Sequence, residues 1–150
     1  MRQHLILRLT KEVNNLVKDL ILVVDDDRDF LDLVSMLLRE EGYEVNTAKS
    51  GREGLEKSIE KLYSLILVDI KLPDFDGIGL LKRITDTDPK IRKVIITGFP
   101  SLDNARLALK LGVHTYLVKP VEAIEILKTV RMQLLERDKE FAERYTLLGI

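Results

Sequence analysis

The chain has 150 residues, a length typical of one domain, and its 45% hydrophobic and 33% charged residues are ordinary for a globular protein. This composition argues against a disordered chain or a membrane-spanning one. The 24 basic and 25 acidic residues nearly balance, which argues against direct binding of nucleic acid through charge alone. The lack of cysteine excludes disulfides and thiolate metal sites, and the N-terminus is a poor signal peptide, so we expect a cytoplasmic protein.

The first predicted element is an N-terminal extension over residues 1–18. Its apolar residues Leu9, Val13, Leu16 and Val17 recur at helical spacing, which predicts an amphipathic helix. At 18 residues it is too short to be a domain of its own.

Beyond this extension, short apolar runs alternate with segments of helical periodicity. The alternation is typical of βαβ units around a parallel sheet, so the predicted fold class is α/β. The predicted strands are Leu20–Val24, Tyr43–Ala48, Leu65–Val68, Val94–Ile96 and Thr115–Val118. The first and third are apolar throughout, as expected of strands that helices cover on both faces.

Capping residues define the helices between these strands. The predicted helices are Asp29–Glu41, ending at Gly42; a second opened by a capping box of Ser50 and Glu53; Gly77–Ile84; a fourth capped by Ser101 and ending at Gly112; and a fifth after Pro120. The fifth is expected to run almost to the C-terminus. We therefore predict one domain over residues 19–135, with residues 136–150 extending its last helix.

Polar side chains follow directly after four of the predicted strands. Asp25 and Asp26 follow the first strand, Asp69 the third, Thr97 the fourth and Lys119 the fifth. Because the carboxyl ends of parallel strands meet at one edge of a sheet, we expect one site there. Carboxylates about 4 Å apart repel by roughly 4 kcal/mol at an effective dielectric near 20, so the site requires cations. Lys119 supplies one, and the oxygen ligands predict Mg²⁺ for the rest.

This set of groups is suited to phosphoryl transfer. Asp69 is the predicted nucleophile, and the metal, the Lys119 ammonium and the Thr97 hydroxyl would each meet a phosphoryl oxygen. Each residue taken alone has a simpler interpretation as a helix cap, a turn residue or strand filler. Their shared order and spacing favour the functional interpretation.

Four motifs together resemble the response-regulator receiver family of two-component systems. They are Leu22-Val23-Val24-Asp25-Asp26, Val68-Asp69 followed by Leu72-Pro73-Asp74-Phe75-Asp76-Gly77, Ile96-Thr97-Gly98, and Val118-Lys119-Pro120. The resemblance covers about residues 20–135. It implies a flavodoxin-like, doubly wound parallel sheet of five strands in the order 2-1-3-4-5, with helices on both faces. It also implies Mg²⁺-dependent transfer of a phosphoryl group to Asp69 from a sensor histidine kinase or a phosphotransfer protein.

The resemblance assigns the metal ligands residue by residue. Asp26 and Asp69 would bind Mg²⁺ directly, together with the backbone carbonyl of Lys71, and Asp25 would act largely through water. The loop over residues 73–77 is rich in turn-forming residues, and we expect it to be short and stiff enough to hold that carbonyl in place.

The resemblance also assigns a switch. Thr97 and Lys119 would bind the phosphoryl group, and the Lys119-Pro120 bond is expected to be cis, which would direct the lysine into the pocket. Tyr116 matches an aromatic switch position, where the ring turns inward as the Thr97 hydroxyl moves to the phosphate. Its simpler interpretation is a half-buried strand tyrosine.

The expected function is a signalling switch that catalyses only its own phosphorylation and dephosphorylation. Phosphorylation would change a surface formed by the fourth helix, the fifth strand and the fifth helix, and a downstream protein would recognise that surface. We expect no membrane partner. A phosphatase of the aspartyl-phosphate type would usually need a second aspartate where this chain has Lys71, and a P-loop motif is absent.

Several alternatives remain open from the sequence. The chain is either a single-domain regulator or the receiver part of a longer protein. A homodimer could form through the last helix or through the helix 4, strand 5 and helix 5 face. A receiver-like module that binds partners without being phosphorylated is the alternative function.

Overall fold

The computed structural model describes residues 1–16 and 18–149. Its helices are α1 (Arg2–Leu16), α2 (Arg28–Glu40), α3 (Gly51–Glu60), α4 (Gly77–Thr87), α5 (Leu102–Lys110) and α6 (Ala123–Leu147). Its strands are β1 (Leu20–Val24), β2 (Glu44–Ala48), β3 (Leu65–Val68), β4 (Arg92–Thr97) and β5 (Thr115–Val118). The predicted second to fifth helices correspond to α3–α6, because α1 precedes the helices of the main domain.

The strands form one parallel sheet in the order β2-β1-β3-β4-β5, which confirms the predicted fold. Val24 at the end of β1 pairs with Val68 at the end of β3, and Thr97 at the end of β4 pairs with Val118 of β5. This register brings the residues that follow β1 and β3 level with each other. The aspartates after these strands are therefore neighbours.

Two apolar cores cover the two faces of the sheet. In β1, Leu22 and Val24 face the core under α3, α4 and α5, whereas Ile21 and Val23 face the core under α2 and α6. All four side chains are at most 1% exposed. Since burying one such aliphatic side chain contributes about 1.5–3 kcal/mol, the two cores hold the strand ends firmly in place.

Three strand boundaries differ from the predicted ones. β2 begins at Glu44 rather than Tyr43, and β4 begins at Arg92, two residues before the predicted Val94, and ends at Thr97 rather than Ile96. Arg92 and Lys93 are buried at 5% and 2% exposure although they are charged. The search for apolar runs missed these two residues because they are charged. They can be buried because their side chains have polar partners at the amino end of the sheet.

Two helices also differ. α2 begins and ends one residue earlier than predicted, at Arg28 and Glu40, and α4 continues past the predicted Ile84 to Thr87. Threonine hydroxyls in this last turn bond back to carbonyls one turn earlier, from Thr85 to Leu81 at 2.6 Å and from Thr87 to Ile84 at 3.0 Å. The two threonine hydroxyls thus have hydrogen-bond partners within their own helix. The fourth predicted helix, α5, has the expected Ser101 cap, whose hydroxyl accepts from Asn104 N at 3.1 Å.

The capping box at α3 forms only in part. Ser50 Oγ accepts from Glu53 N at 3.1 Å, as predicted. The Glu53 carboxylate instead accepts from Lys49 N at 3.0 Å, one residue before the cap. This bond, more than the burial that opposes it, lowers the pKa of Glu53.

The N-terminal extension contains the predicted helix, α1, which packs against α6. Leu9 and Val13 of its apolar stripe remain 50% and 57% exposed, so α1 buries that stripe only partly. Val17 lies outside the described residues. Within residues 1–16 and 18–149, no helix has the length and apolar character needed to cross a bilayer.

Candidate functional site

Three aspartates meet at the carboxyl ends of β1 and β3. Carboxylate oxygens of Asp25, Asp26 and Asp69 all lie within 4.8 Å of one another. Asp25 is 1% exposed and Asp69 is 5% exposed, whereas Asp26 is open to solvent. The cluster therefore has a buried floor and one side that a ligand can reach.

Lys119 reaches this cluster from the end of β5. Its Nζ lies 2.6 Å from Asp25 Oδ2 and 3.2 Å from Asp69 Oδ2. The Lys119-Pro120 peptide bond is cis, as the resemblance implies, and Lys119 N donates to Thr97 O at 2.8 Å. The Nζ also lies 4.2 Å from the centroid of the Phe30 ring, a cation–π contact that the sequence analysis missed.

Burial and charge act against each other in this cluster. Burial raises the pKa of Asp25, and the hydrogen bond from Lys119 and the Asp27 N–H only partly oppose it. Burial also works to lower the pKa of Lys119, but its contacts with Asp25 and Asp69 outweigh this effect and raise that pKa. Lys119 is therefore cationic at neutral pH and offsets one of the three carboxylates.

The third consecutive aspartate, Asp27, has a different role from its neighbours. Its Oδ1 accepts from Asp29 N at 3.0 Å and from Phe30 N at 3.2 Å, so it caps α2. Its own N–H donates to Asp25 Oδ1 at 2.9 Å, which fixes the orientation of that carboxylate. The sequence contained a signal for this role, because aspartate is a favoured N-cap and Asp27 directly precedes the helix that begins at Arg28.

The chain passes close to Asp69 again at the start of α4. Gly77 N donates to Ile70 O at 2.6 Å. A Cβ on Gly77 would lie only 2.2 Å from the Asp69 carbonyl oxygen, so only glycine fits here. Lys71 N donates to Asp69 Oδ1 at 3.1 Å, which places Lys71 beside the cluster.

A second contact fixes the loop between β3 and α4. The Asp74 carboxylate accepts from Gly51 N and Arg52 N, both at 2.8 Å. These are the first two N–H groups of α3, which have no partner within their own helix. The loop composition predicted only a turn role for Asp74. The sequence has no local signal for these bonds, because the partners lie 23 and 22 residues away.

The two predicted switch residues lie on neighbouring strands but are not bonded to each other. Thr97 is fully buried, and its Oγ1 accepts from Phe99 N at 3.1 Å. The Tyr116 ring packs on the core under α3, α4 and α5. Its hydroxyl is buried and has no hydrogen-bond partner among the described residues. Phe99 also lies under the Lys71 Nζ, which is 4.0 Å from the centroid of its ring.

The donor set fits Mg²⁺. All three side chains offer carboxylate oxygens, the hard ligands that Mg²⁺ prefers, and the exposed side leaves room for the waters it retains. Three carboxylates and one ammonium leave about two negative charges for a divalent ion to neutralise. Asp25, Asp26 and Asp69 form the only such cluster in the described part of the chain.

Comparison with known proteins identifies the family. The family model described as the response regulator receiver domain matches residues 21–131. The transcriptional regulatory protein ZraR of Escherichia coli (strain K12) is 40% identical over 114 residues, which cover 76% of this chain and 26% of ZraR. The ZraR of Salmonella typhimurium (strain LT2) is 38% identical over 82% of this chain and 28% of its own length. This sequence therefore spans about a quarter of these relatives.

Solved structures agree with this result. The response regulator receiver domain protein (CheY-like) from Methanospirillum hungatei JF-1 has a TM-score of 0.81 and 39% identity, covering 82% of this chain and 98% of that one. The beryllofluoride-activated NtrC4 receiver domain has a TM-score of 0.74 and 35% identity, covering 79% and 98%. The order of the strands, the match over residues 21–131 and these neighbours lead to one conclusion. The chain belongs to the response regulator receiver domain family of two-component systems.

Proposed function

We propose that Asp69 accepts a phosphoryl group from a phosphohistidine of a sensor histidine kinase or phosphotransfer protein. The observation that carries this proposal is the position of the Asp69 carboxylate, which lies 3.2 Å from the Lys119 ammonium and within 4.8 Å of Asp25 and Asp26. A carboxylate held beside a cation and a metal-binding cluster can attack phosphorus while its surroundings neutralise the phosphoryl charge.

The transfer exchanges one bond to phosphorus for another. An Asp69 carboxylate oxygen forms a bond to phosphorus, and the bond from phosphorus to the donor's imidazole nitrogen breaks, so its electron pair returns to the imidazole. The Lys119 Nζ and the Thr97 hydroxyl would then bind the phosphoryl oxygens. Lys119 needs to move little, because it already contacts Asp69.

Magnesium would be held by Asp26, Asp69 and the Lys71 backbone carbonyl, with Asp25 acting largely through water. When bound, it would neutralise charge on the phosphoryl oxygens. The chain's own contribution is to keep the carboxylates close together. Asp27 fixes Asp25 through its N–H at 2.9 Å, and Lys71 fixes Asp69 through its N–H at 3.1 Å.

Phosphorylation would act on a surface through Thr97. Its Oγ1 now accepts from Phe99 N, and Phe99 begins the segment that leads into α5. A hydroxyl drawn toward the phosphoryl group would lose or lengthen this bond and so bias the segment. Tyr116, whose hydroxyl has no partner among the described residues, is free to respond to the space that Thr97 leaves.

The output surface that we propose consists of residues 99–111, which include α5, together with β5 and the first turns of α6. It carries large apolar side chains that are 45–77% exposed, namely Phe99, Leu102, Leu107, Leu109, Val118 and Ile124. Such a group of apolar residues favours contact with a downstream protein. The NtrC4 receiver named above was solved as an activated dimer, so a dimer of this chain through the same surface or the last helix is a further proposal.

The domain composition of the full protein, its location and the domain boundaries stay predictions. The curated relatives are transcriptional regulators of which this sequence spans about a quarter, so a regulator with an output domain and a single-domain receiver both remain open. The cytoplasmic location and the division of the chain at residues 18 and 135 also stay predictions.

The test is intact mass after incubation with acetyl phosphate, with and without Mg²⁺. We expect a gain of one phosphoryl group that requires Mg²⁺ and is lost in Asp69→Asn. The matched control is Asp86→Asn, which changes an exposed aspartate of α4 far from the cluster and should label normally.

Labelling of Asp69→Asn at the native level would show that another residue accepts the phosphoryl group. No gain in the native chain with Mg²⁺ would overturn the proposal and favour a receiver that only binds partners. Hydroxylamine treatment of the labelled chain gives a second check, because an acyl phosphate is cleaved by this nucleophile whereas a phosphate ester on serine or threonine is not.

A further inference from the structure

A cavity of about 240 Å³ lies at the end of the sheet opposite the aspartates. Arg92, the first residue of β4, and His114, just before β5, line it together with residues of α6. Its lining includes the polar, charged or aromatic residues Lys90, Arg92, His114, Glu140, Phe141 and Arg144. The proposed phosphoacceptor chemistry uses none of them.

The cavity has more positive charge than its own carboxylate can balance. Arg92 is 5% exposed, and its Nη1 donates to Glu140 Oε2 at 3.1 Å, so this pair is matched. Lys90 and Arg144 also line the cavity, and neither has a side-chain hydrogen bond or an ion pair within the described residues. Two cations of the cavity are therefore without an ion-pair partner in the part of the chain that the structure describes.

Arg137, a further cation at the cavity, is already matched. Its Nη1 donates to Asp19 Oδ1 at 2.8 Å, and its Nη2 donates to Asp138 Oδ1 at 2.9 Å. It is held in place on both sides and forms a fixed part of the wall. The uncommitted charge is thus confined to Lys90 and Arg144.

His114 lies between the cations and adds no negative charge. Its Nδ1 accepts from Lys93 N at 3.1 Å, and its Nε2 lies 3.1 Å from Arg92 Nη1. The charged groups that face it are Arg92 and Lys93 of β4 and Glu140 of α6. Burial, reinforced by the two cations, lowers the pKa of His114 to about 4, although Glu140 opposes this shift.

We propose that this cavity is a binding site for a small phosphate monoester. Such a group has about 1.5–2 negative charges at neutral pH, which matches the two uncommitted cations Lys90 and Arg144. A guanidinium binds its oxygens in a bidentate manner, and Arg144 is available to do so. Ligand cavities usually exceed roughly 300 Å³, so a volume of about 240 Å³ selects a small ligand.

Two further features fit the ester rather than free phosphate. Phe141 is 45% exposed and presents an aromatic surface beside the cations, against which the organic group would pack. The Glu140 side chain is 63% exposed although it is bonded to buried Arg92. Its carboxylate can move into solvent and leave the Arg92 fork to the phosphate oxygens.

The test uses phenyl phosphate as the probe, with the full chain in EDTA and at constant ionic strength. The chain has two histidines, so NMR of their ring protons reports on the cavity through His114 and on α1 through His4, which lies beside Lys139, Ala142 and Glu143 of α6 and does not line the cavity. We expect a saturable shift and a raised pKa for His114, and no change for His4. Inorganic phosphate should bind more weakly because it lacks the ring that packs on Phe141.

Matched variants distinguish a specific binding site from general attraction of an anion to positive charge. Lys90→Gln and Arg144→Gln should each weaken binding by about tenfold or more, as expected for the loss of a charged hydrogen bond. Glu140→Gln should strengthen binding because it frees Arg92. Lys82→Gln removes an exposed lysine of α4 with no ion pair in the described residues, and it should bind normally.

Two results would overturn the proposal. The first is the absence of a saturable change at His114, and the second is equal affinity in the native chain and in Arg144→Gln. Equal affinity for inorganic phosphate and phenyl phosphate would overturn the assignment to a monoester. Because the first readout is independent of labelling at Asp69, failure here is distinguishable from failure of the proposed phosphoacceptor function.

Discussion

Lys119 Nζ lies closer to Asp25 than to the proposed acceptor Asp69, at 2.6 Å against 3.2 Å. Asp25 is also the more buried of the two carboxylates. The lysine therefore forms its stronger contact with a residue whose charge is costly to bury, and it leaves Asp69 less tightly bound. This arrangement keeps the cation near the acceptor without blocking it.

The first prediction concerns the cost of the Asp25 charge. Because burial raises its pKa above the ordinary 3.8, the folded chain holds this proton to a higher pH than the unfolded chain does. The stabilisation from this proton is fully present below the unfolded pKa and is lost as the pH rises through the folded pKa. Asp25→Asn should therefore be more stable than the native chain at pH 7, by about 1 kcal/mol. Urea unfolding in EDTA measures this difference.

The advantage of Asp25→Asn should shrink as the pH is lowered toward 4, because the native carboxyl then becomes protonated. Asp86→Asn serves as the control, since its exposed carboxylate should give a difference within about 0.5 kcal/mol at either pH. A variant less stable than the native chain at pH 7 would mean that the contact with Lys119 outweighs the cost of burial.

The second prediction concerns the close approach of Gly77 to Asp69. In Gly77→Ala the new Cβ would lie 2.2 Å from the Asp69 carbonyl oxygen, so the backbone must shift. We expect a loss of about 1–3 kcal/mol in the free energy of unfolding, the usual range for overpacking. Gly79→Ala is the matched control, because its Cβ would come no closer than 3.5 Å to a neighbour and alanine favours the helix. Equal stability of the two variants would contradict the prediction.

The third prediction concerns the buried hydroxyl of Tyr116. It has no hydrogen-bond partner among the described residues, so the folded chain bears the cost of removing it from water. Tyr116→Phe should therefore match or exceed native stability, by up to about 1 kcal/mol, as measured by thermal and urea unfolding. A loss above 1 kcal/mol would indicate a hydrogen bond to ordered water.

The sequence was sufficient for features that depend on local pattern. The apolar runs located all five strands, and the residues following them located the aspartate cluster, because parallel strands bring their ends together. The start of β4 was missed since Arg92 and Lys93 are charged yet buried. Arg92 can be buried because it contacts a residue far along the chain, Glu140, which lies 48 residues away.

Sequence patterns also could not predict the contacts of the loop between β3 and α4 or the cavity lined by Lys90, His114 and Arg144. The Asp74 bonds to Gly51 and Arg52 join segments more than twenty residues apart. The cavity brings together Lys90, His114 and Arg144, which have no pattern in common along the sequence. Such contacts depend on how the elements are arranged in space, and neither periodicity nor capping signals contain that information.

The last prediction tests the division of the chain at residue 18. Both buried cores consist of residues from position 20 onward, and α1 leaves Leu9 and Val13 half exposed. A chain that begins at Asp19 should therefore unfold cooperatively and lose less than about 2 kcal/mol, as measured by urea unfolding followed by circular dichroism. Loss of cooperative unfolding would instead make α1 part of the domain.

The matched comparison is removal of residues 136–150 from the other end. This truncation deletes Glu140, the ion-pair partner of Arg92, which is 5% exposed, and Arg137, the partner of Asp19. A buried charge left without its partner costs about 3–5 kcal/mol. We therefore expect the C-terminal truncation to be the more destabilising of the two. Equal losses would mean that the Arg92 guanidinium reaches water once Glu140 is gone, so that the α6 extension covers the sheet without stabilising it.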